Sequence, residues 1–255
     1  MIEVANSEIA RQTARRRTGN GWFTSFIGAN RHTLGPTERI PEPGVLHPMA
    51  FLVEKEAGAV VKPHFHQADQ FQVVMSGGGR LGLHDVAGIA VHYTDAYSAY
   101  GPIVAADEGV AWFTLRNAWD PGARYMPGAR AELRAARARH QHREVTAPPL
   151  PATDAVGLAR LEQEIRVPVL EPGADGLAGW RYQVPSGAAL RGPDPSSGGG
   201  QFWLVLAGDL EAGEADALPP HSCLFVAPDA EALSATAGAG GVEMLCVQFP
   251  ARMIH

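Results

Sequence analysis

The sequence GAVVKPHFHQADQFQVVMSG, residues 58–77, decides the fold. Residues 71–75 are mostly apolar, favour a β-strand and lead out to a glycine cluster at 77–79. Successive side chains on a strand face opposite ways, so His64 and His66 point to the same side. Two imidazoles on one strand face are a starting point for a transition-metal site.

The composition is that of an ordinary globular chain, long enough for one large domain or two small ones. Its 29 glycines and 20 prolines suit short strands joined by turns better than long helices. The net charge of −6 argues against a general nucleic-acid binder, because such proteins neutralise phosphates. No apolar run approaches the roughly 18 residues of a membrane span. The N-terminus lacks the apolar segment of a secretory signal, so we expect a cytoplasmic protein whose Cys223 and Cys246 are buried free thiols.

The pattern along the chain predicts two β-rich halves with a linker between them. Strand-like segments in the first half lie at 22–27, 49–54, 71–75, 80–84, 89–93 and 110–116. Residues 129–144 are rich in arginine and helix formers, and the prolines at 148–151 stop that pattern. Asp154 can cap a second short helix that runs to about Glu164. The predicted domains are therefore 1–128, a linker at 129–164, and 165–255.

The second half repeats the first. Residues 201–208 match 70–77 at a shift of 131, and residues 241–247 match 109–115 at a shift of 132. Such agreement predicts a duplicated domain. Where the first copy has its histidines, the second has only residues 191–197, RGPDPSS, so it carries no ligand set.

Five residues of the opening stretch fit the first motif of the cupin superfamily, G-x5-H-x-H-x3,4-E-x6-G, apart from one exchange. They are Gly58, His64, His66, Gln70 and Gly77, with glutamine at the place of the glutamate. The chain therefore resembles the cupins. Matching the family's second motif to the residues that follow Gly88 puts Tyr100 where cupins have their last metal-binding histidine.

This resemblance implies an all-β bicupin, two tandem jelly-roll barrels of which the second is degenerate. Family members hold Fe, Mn, Ni, Zn or Cu inside the barrel mouth and include dioxygenases, decarboxylases, isomerases and lyases. Other members bind sugars or effectors without catalysis, so the fold does not choose the function. Cupins commonly pair, which predicts a homodimer.

The predicted metal site consists of His64 and His66, with the neutral amide oxygen of Gln70 as a weaker ligand. His92 is a possible third imidazole if its strand faces inward, and His84 or Asp69 are further candidates. The alternative is a pair of pocket histidines that bind water or a ligand instead of a metal.

Tyrosines cluster near the proposed barrel mouth. Tyr100 is predicted to act as general acid or base or to contact the substrate, and Tyr97 and Gln72 to contact the substrate. In the alternative interpretation these side chains only fill the barrel wall.

Two functions of different class are consistent with these residues. The first is a metal-dependent oxygenase, lyase or isomerase that acts on a small polar organic molecule. The second is a non-catalytic cupin that binds or senses a small molecule. Neither involves nucleic acid or a membrane.

Overall fold

The computed structural model describes residues 1–35, 37–42, 44–136, 142–151, 153–211 and 217–251. Antiparallel strands make up most of the chain, as the sequence predicts. The chain divides into two compact units, one of residues 15–151 and one of residues 1–14 together with 152–255.

The elements follow one another in this order along the chain. The first are β1 (Ile2–Ala5), α1 (Ser7–Thr13), β2 (Arg15–Arg17), β3 (Gly21–Ile27), β4 (Leu46–Lys55), β5 (Val60–Val61), β6 (His64–Phe65), β7 (Gln70–Leu81), β8 (His84–Ala87), β9 (Ala90–Thr94), β10 (Ile103–Ala118), β11 (Arg124–Tyr125), α2 (Arg130–Ala135) and β12 (Glu144–Thr146). The remainder are α3 (Ala155–Ala159), β13 (Ile165–Leu170), β14 (Ala178–Val184), β15 (Ala189–Arg191), a 3₁₀ turn (Pro195–Ser197), β16 (Gln201–Glu211), β17 (Cys223–Val226) and β18 (Ser234–Gln248).

The N-terminal barrel is a nine-stranded sheet in the order β12-β9-β7-β10-β4-β3-β2, with β5 added to β10 and β8 to β7. A two-stranded ribbon of β6 and β11 completes it. Alternate residues of each strand face inward. On β10 these are Trp112, Thr114 and Arg116, and on β7 they include Gln70 and Gln72.

The C-terminal barrel is a seven-stranded sheet in the order β1-β17-β16-β18-β14-β13, with β15 added to β18. Large buried side chains fill the interior of its described part, among them Trp203, Tyr182 and Met244. The described interior of this second barrel is therefore a packed, largely apolar core.

The internal repeat is confirmed by the strand register. In the first barrel Val73 pairs with Phe113, and in the second barrel Leu204 pairs with Leu245. The two pairs are related by the shifts of 131 and 132 residues that the sequence shows.

Corresponding glycines bend the long strands in both barrels. Gly77 and Gly208 have φ values of 72° and 69°, in the left-handed region that side chains disfavour. A Cβ at Gly77 would lie 2.2 Å from the carbonyl oxygen of Gly109, and one at Gly208 would lie 2.0 Å from that of Gly241. Backbone atoms occupy the space, so only glycine fits at either position.

The N-terminal segment belongs to the C-terminal unit, which differs from the expected first domain of 1–128. Strand β1 pairs with β17, with Ala5 opposite Cys223. The backbone N–H of Ser7 donates to Oγ of Ser222 at 3.0 Å, and its hydroxyl donates to the carbonyl of Pro220 at 2.8 Å. Strand partners so far apart in the chain leave no local sequence signal.

The linker region also differs from its prediction. Of the helix expected at 129–144, α2 ends at Ala135, residues 137–141 lie outside the described part, and Glu144–Thr146 form β12 against β9. The predicted cap is present, because the Asp154 carboxylate accepts from the N–H of Val156 at the start of α3. That helix ends at Ala159, earlier than expected.

Two smaller expectations concern the cysteines and membrane spans. Cys223 and Cys246 are buried free thiols, as predicted. Within the described residues, none of the helices is both long and apolar enough to cross a membrane.

We expect Ser222→Ala to loosen the attachment of β1. The substitution leaves the buried N–H of Ser7 without its acceptor, which costs about 1–3 kcal/mol. Hydrogen exchange at residues 2–5 should accelerate, and Ser234→Ala, at an exposed position of β18, serves as the control. Equal exchange rates in the two variants would contradict the role of Ser222.

Candidate functional site

The N-terminal barrel encloses a cavity of about 200 Å³. One part of its lining is apolar and aromatic, and includes Phe51, Val53, Ile103 and Trp112. The other part is polar and contains the motif residues of the sequence. Residues His64, His66, Gln70 and Tyr100 lie together there and are buried.

His64 is held as a neutral imidazole whose Nε2 is a hydrogen-bond acceptor. Its Nδ1 donates to the carbonyl of Lys62 at 2.7 Å, which leaves Nε2 unprotonated. The hydroxyl of Tyr100 donates to that Nε2 at 2.9 Å. Burial lowers the pKa of His64 in spite of the opposing bond to Lys62.

His66 is oriented by a buried carboxylate. Its Nδ1 donates to Oδ1 of Asp120 at 2.8 Å, and Asp120 also accepts from the backbone N–H groups of Gln67 and Gly122. Burial and the nearby charge of Arg116 lower the pKa of His66 to about 3, against the effect of Asp120. His66 is therefore neutral at physiological pH, and its contact with Asp120 is a hydrogen bond.

The amide of Gln70 connects two parts of the site. Its Nε2 donates to the hydroxyl of Tyr100 at 2.5 Å, and its Oε1 accepts from Nε and Nη2 of Arg116 at 3.2 and 2.9 Å. Burial raises the pKa of Tyr100 although Arg116 and Gln70 oppose the shift. The phenol therefore stays protonated at neutral pH, as its bond to His64 requires.

Arg116 is the central residue of the site, and the sequence analysis missed it. Its Nη1 lies 3.2 Å from Oδ1 of Asp120. Although burial acts in the other direction, Arg116 and the bond from His66 hold the pKa of Asp120 well below its usual range. The one available signal was parity, since Arg116 is a charged residue in phase with Trp112 and Thr114 on an apolar strand.

The guanidinium of Arg116 covers the face of His66. Nη2 lies 3.0 Å from Nδ1 and 3.1 Å from Nε2 of the ring. A position nearly equidistant from both nitrogens lies above the ring, because in the ring plane it would collide with the carbon between them. The guanidinium thus contacts both the His66 ring and the amide oxygen of Gln70. These are two of the groups that the sequence predicts as metal ligands.

The second barrel has an uncharged residue at the position that corresponds to Arg116. Gln201 and Gln248 correspond to Gln70 and Arg116 by the internal repeat, and they pair directly across β16 and β18. Nε2 of Gln201 donates to Oε1 of Gln248 at 2.9 Å. A neutral glutamine completes the equivalent contact there, so the barrel does not require a cation at position 116.

Two of the predicted site residues lie elsewhere. His92 is buried behind Tyr100, with ring centroids 5.5 Å apart, and is not among the residues that line the cavity. Its Nδ1 forms a hydrogen bond with Oγ1 of Thr146 at 2.8 Å. Tyr97 also lies off the cavity, where its ring packs near Phe65.

Of the remaining predicted residues, one lines the cavity and two do not. Gln72 lines the cavity, as predicted for a substrate contact. His84 is exposed on β8, and Oδ1 of Asp69 accepts from the N–H of Ala96. Neither of these two residues lines the cavity.

The site as arranged does not fit a divalent metal. An ion bonded at about 2.1 Å to Oε1 of Gln70 would lie within about 5 Å of Nη2 of Arg116, which is 2.9 Å from that oxygen. Unit charges 4 Å apart repel by about 4 kcal/mol at an effective dielectric constant of 20, and a divalent ion doubles this. Asp120 offsets part of this repulsion, but its carboxylate is already paired with Arg116 and His66, and the motif positions supply no anionic ligand of their own. No group of three acidic, histidine or cysteine side chains suited to a metal occurs within the described residues.

We expect the buried His92 to make the N-terminal barrel acid-sensitive. Burial, with a contribution from His84, lowers the pKa of His92 to about 3. Between pH 6.5 and 3 the unfolded chain therefore binds a proton that the folded chain refuses, and stability falls as the pH falls. His92→Gln should reduce the loss of unfolding free energy between pH 7 and 4.5 by on the order of 2 kcal/mol.

Urea titrations at the two pH values measure this difference, with the exposed His142→Gln as control. An unchanged pH dependence in His92→Gln would show that His92 is not responsible.

Comparison with known proteins finds similarity to this chain in structure and not in sequence. No protein-family model matches the sequence, and no curated protein matches it. The bacterial pirin YhhW of Escherichia coli, solved with nickel(II), superposes with a TM-score of 0.60 at 12% identity, over 98% of this chain and 100% of that one.

Two further solved structures agree. Bacillus subtilis oxalate decarboxylase, described with Mn(II) centres, superposes with a TM-score of 0.57 at 11% identity, over 100% of this chain and 78% of that one. A putative dioxygenase from Nostoc punctiforme gives 0.54 at 13% identity, over 96% and 90%. At these identities the likeness establishes the fold and assigns no residue a role. The protein has a bicupin-type fold, two tandem jelly-roll barrels in one chain.

Proposed function

We propose that the N-terminal barrel binds a small organic molecule in its interior and that it does so without a resident metal ion. The observation that carries this proposal is the guanidinium of Arg116, which lies against His66 and Gln70 where a metal would need their donor atoms. The non-catalytic cupin thereby becomes the leading interpretation.

The internal hydrogen bonds support the same conclusion. Tyr100 donates a hydrogen bond to His64, Gln70 donates one to Tyr100, and Arg116 donates one to Gln70. Such a connected network is stable without an ion, because His64, Tyr100 and Gln70 each have a hydrogen-bond partner in it. The cavity beside it, about 200 Å³, is smaller than the roughly 300–1,000 Å³ of pockets for drug-sized ligands. Its occupant is therefore a small metabolite-sized molecule.

A metal-dependent enzyme is the second candidate, and one observation favours it. Lys62 and Asp120 hold the Nδ1 atoms of His64 and His66, which leaves both Nε2 atoms as unprotonated acceptors. Bicupin structures carry nickel in pirin and manganese in oxalate decarboxylase. This candidate requires Arg116 to withdraw from the site. The homodimer and the cytoplasmic location stay predictions.

We expect the purified protein to contain far less than one metal ion per chain when measured by elemental mass spectrometry. Arg116→Gln introduces the residue that the second barrel has at the equivalent position, and Asp120 keeps three donors, so the variant should fold. Because the variant removes the repelling charge, its affinity for Zn²⁺ and Ni²⁺ should rise by roughly tenfold or more.

Arg124→Gln, at a half-buried position of β11, is the control and should bind these ions like the wild type. The metalloenzyme becomes the better account if wild-type protein holds nearly one ion per chain and loses it in a His64→Ala/His66→Ala variant.

A further inference from the structure

Two buried polar atoms of the cavity lining have no hydrogen-bond partner among the residues that the structure describes. They are Oε1 of Gln72, an acceptor, and Nε1 of Trp112, a donor. Gln72 is 3% exposed and Trp112 is 5% exposed. Leaving a buried polar group unpaired costs about 1–3 kcal/mol, so a ligand that pairs with both atoms gains affinity from them.

The side chains that line the cavity carry a net positive charge. Its lining contains three cationic side chains, Arg31, Lys55 and Arg116, and one carboxylate, Asp120. The lining imidazoles are neutral at pH 7, because burial lowers the pKa values of His32, His64 and His66. Arg116 and Asp120 neutralise each other, which leaves Arg31 and Lys55 as the uncompensated charges. The cavity is thus electropositive although the chain as a whole is acidic.

Lys55 has a position suited to a ligand contact. Its ammonium donates to Oδ1 of Asn20 and forms no ion pair with a described residue. The neighbouring acid, Glu56, is ion-paired with Arg17. Partial burial lowers the pKa of Lys55, and a carboxylate beside the ammonium would offset the cost of that burial.

The strand register places the ammonium-bearing residue Lys55 near Trp112, whose indole N–H is the unpaired donor. Trp112 pairs with Val53 across β10 and β4, and Lys55 lies two residues beyond Val53 on the same face. Gln72 pairs with Thr114, the next inward residue of β10 after Trp112. Lys55, Trp112 and Gln72 therefore follow one another along the cavity wall, in the order cation, donor, acceptor.

From this arrangement we infer that the ligand is a small organic carboxylate with an apolar body and a hydrogen-bond donor such as a hydroxyl. The carboxylate binds at Lys55 and Trp112, the hydroxyl donates to Gln72, and the apolar body packs against Phe51 and Ile103. The inference rests on the proposed function and adds the chemical class of the ligand.

The experiment compares acids with their neutral amides. The probes are phenylacetate and 4-hydroxyphenylacetate, each beside its primary amide, titrated calorimetrically into the full-length protein. The acids should bind roughly tenfold tighter than the amides, since the amides keep the shape and lose the charge. The hydroxylated acid should bind more tightly than phenylacetate.

Variants assign the effect to residues. Lys55→Met removes the charge and keeps the aliphatic stem, so it should weaken the acids by roughly tenfold and leave the amides unchanged. Lys62→Met, at the chain's other lysine and outside the cavity lining, is the matched control. Gln72→Leu should remove the advantage of the hydroxylated acid.

The outcomes separate the two proposals. If amides bind as well as acids, or Lys55→Met weakens both alike, the carboxylate inference fails and small-molecule binding stands. If neither acids nor amides bind, the proposed function fails together with the inference. Wild-type and variant protein are checked for equal melting temperature without ligand, so that misfolding cannot imitate lost affinity.

Discussion

The buried ion pair between Arg116 and Asp120 is the interaction on which the N-terminal site depends. Removing Asp120 would leave the guanidinium buried without its counter-charge, which is costly in a protein interior, whereas removing Arg116 leaves Asp120 with three neutral donors. The pair also fixes its neighbours. Asp120 accepts from His66 and from the backbone of Gln67, so it ties the segment after β10 to the segment between β6 and β7. From Arg116, successive hydrogen bonds reach Gln70, Tyr100 and His64.

A guanidinium at this place changes the chemistry that the barrel offers. A bound metal is a removable Lewis acid with open coordination positions, whereas Arg116 is a permanent cation whose donors point in fixed directions. Those donors are already used by Gln70 and Asp120. The inner end of the cavity is therefore a closed hydrogen-bonded network. The ligand contacts that we propose lie further along the wall, at Gln72 and Trp112, whose buried atoms have no partner within the described part of the chain.

The duplicated barrels show how one strand framework supports two interiors. Both keep the glycine bends, the strand register and an inward glutamine at positions 70 and 201. In the second barrel Trp203 and its neighbours fill the interior, and Gln248 takes the position of Arg116. Burial of large apolar side chains stabilises that barrel through the hydrophobic effect. The first barrel gives up part of this packing for a charged cavity.

The sequence by itself predicted the β-rich halves, the repeat and the meeting of His64, His66 and Gln70. Strands and motif depend on alternation and spacing over a few residues, and the repeat is visible as two matching segments. Only the tertiary structure decided that β1 joins the second barrel and that Arg116 lies on the ring of His66. Arg116 is 50 residues from His66, and their contact depends on the register between distant antiparallel strands. Register arises from the packing of the whole barrel, so no local pattern encodes it.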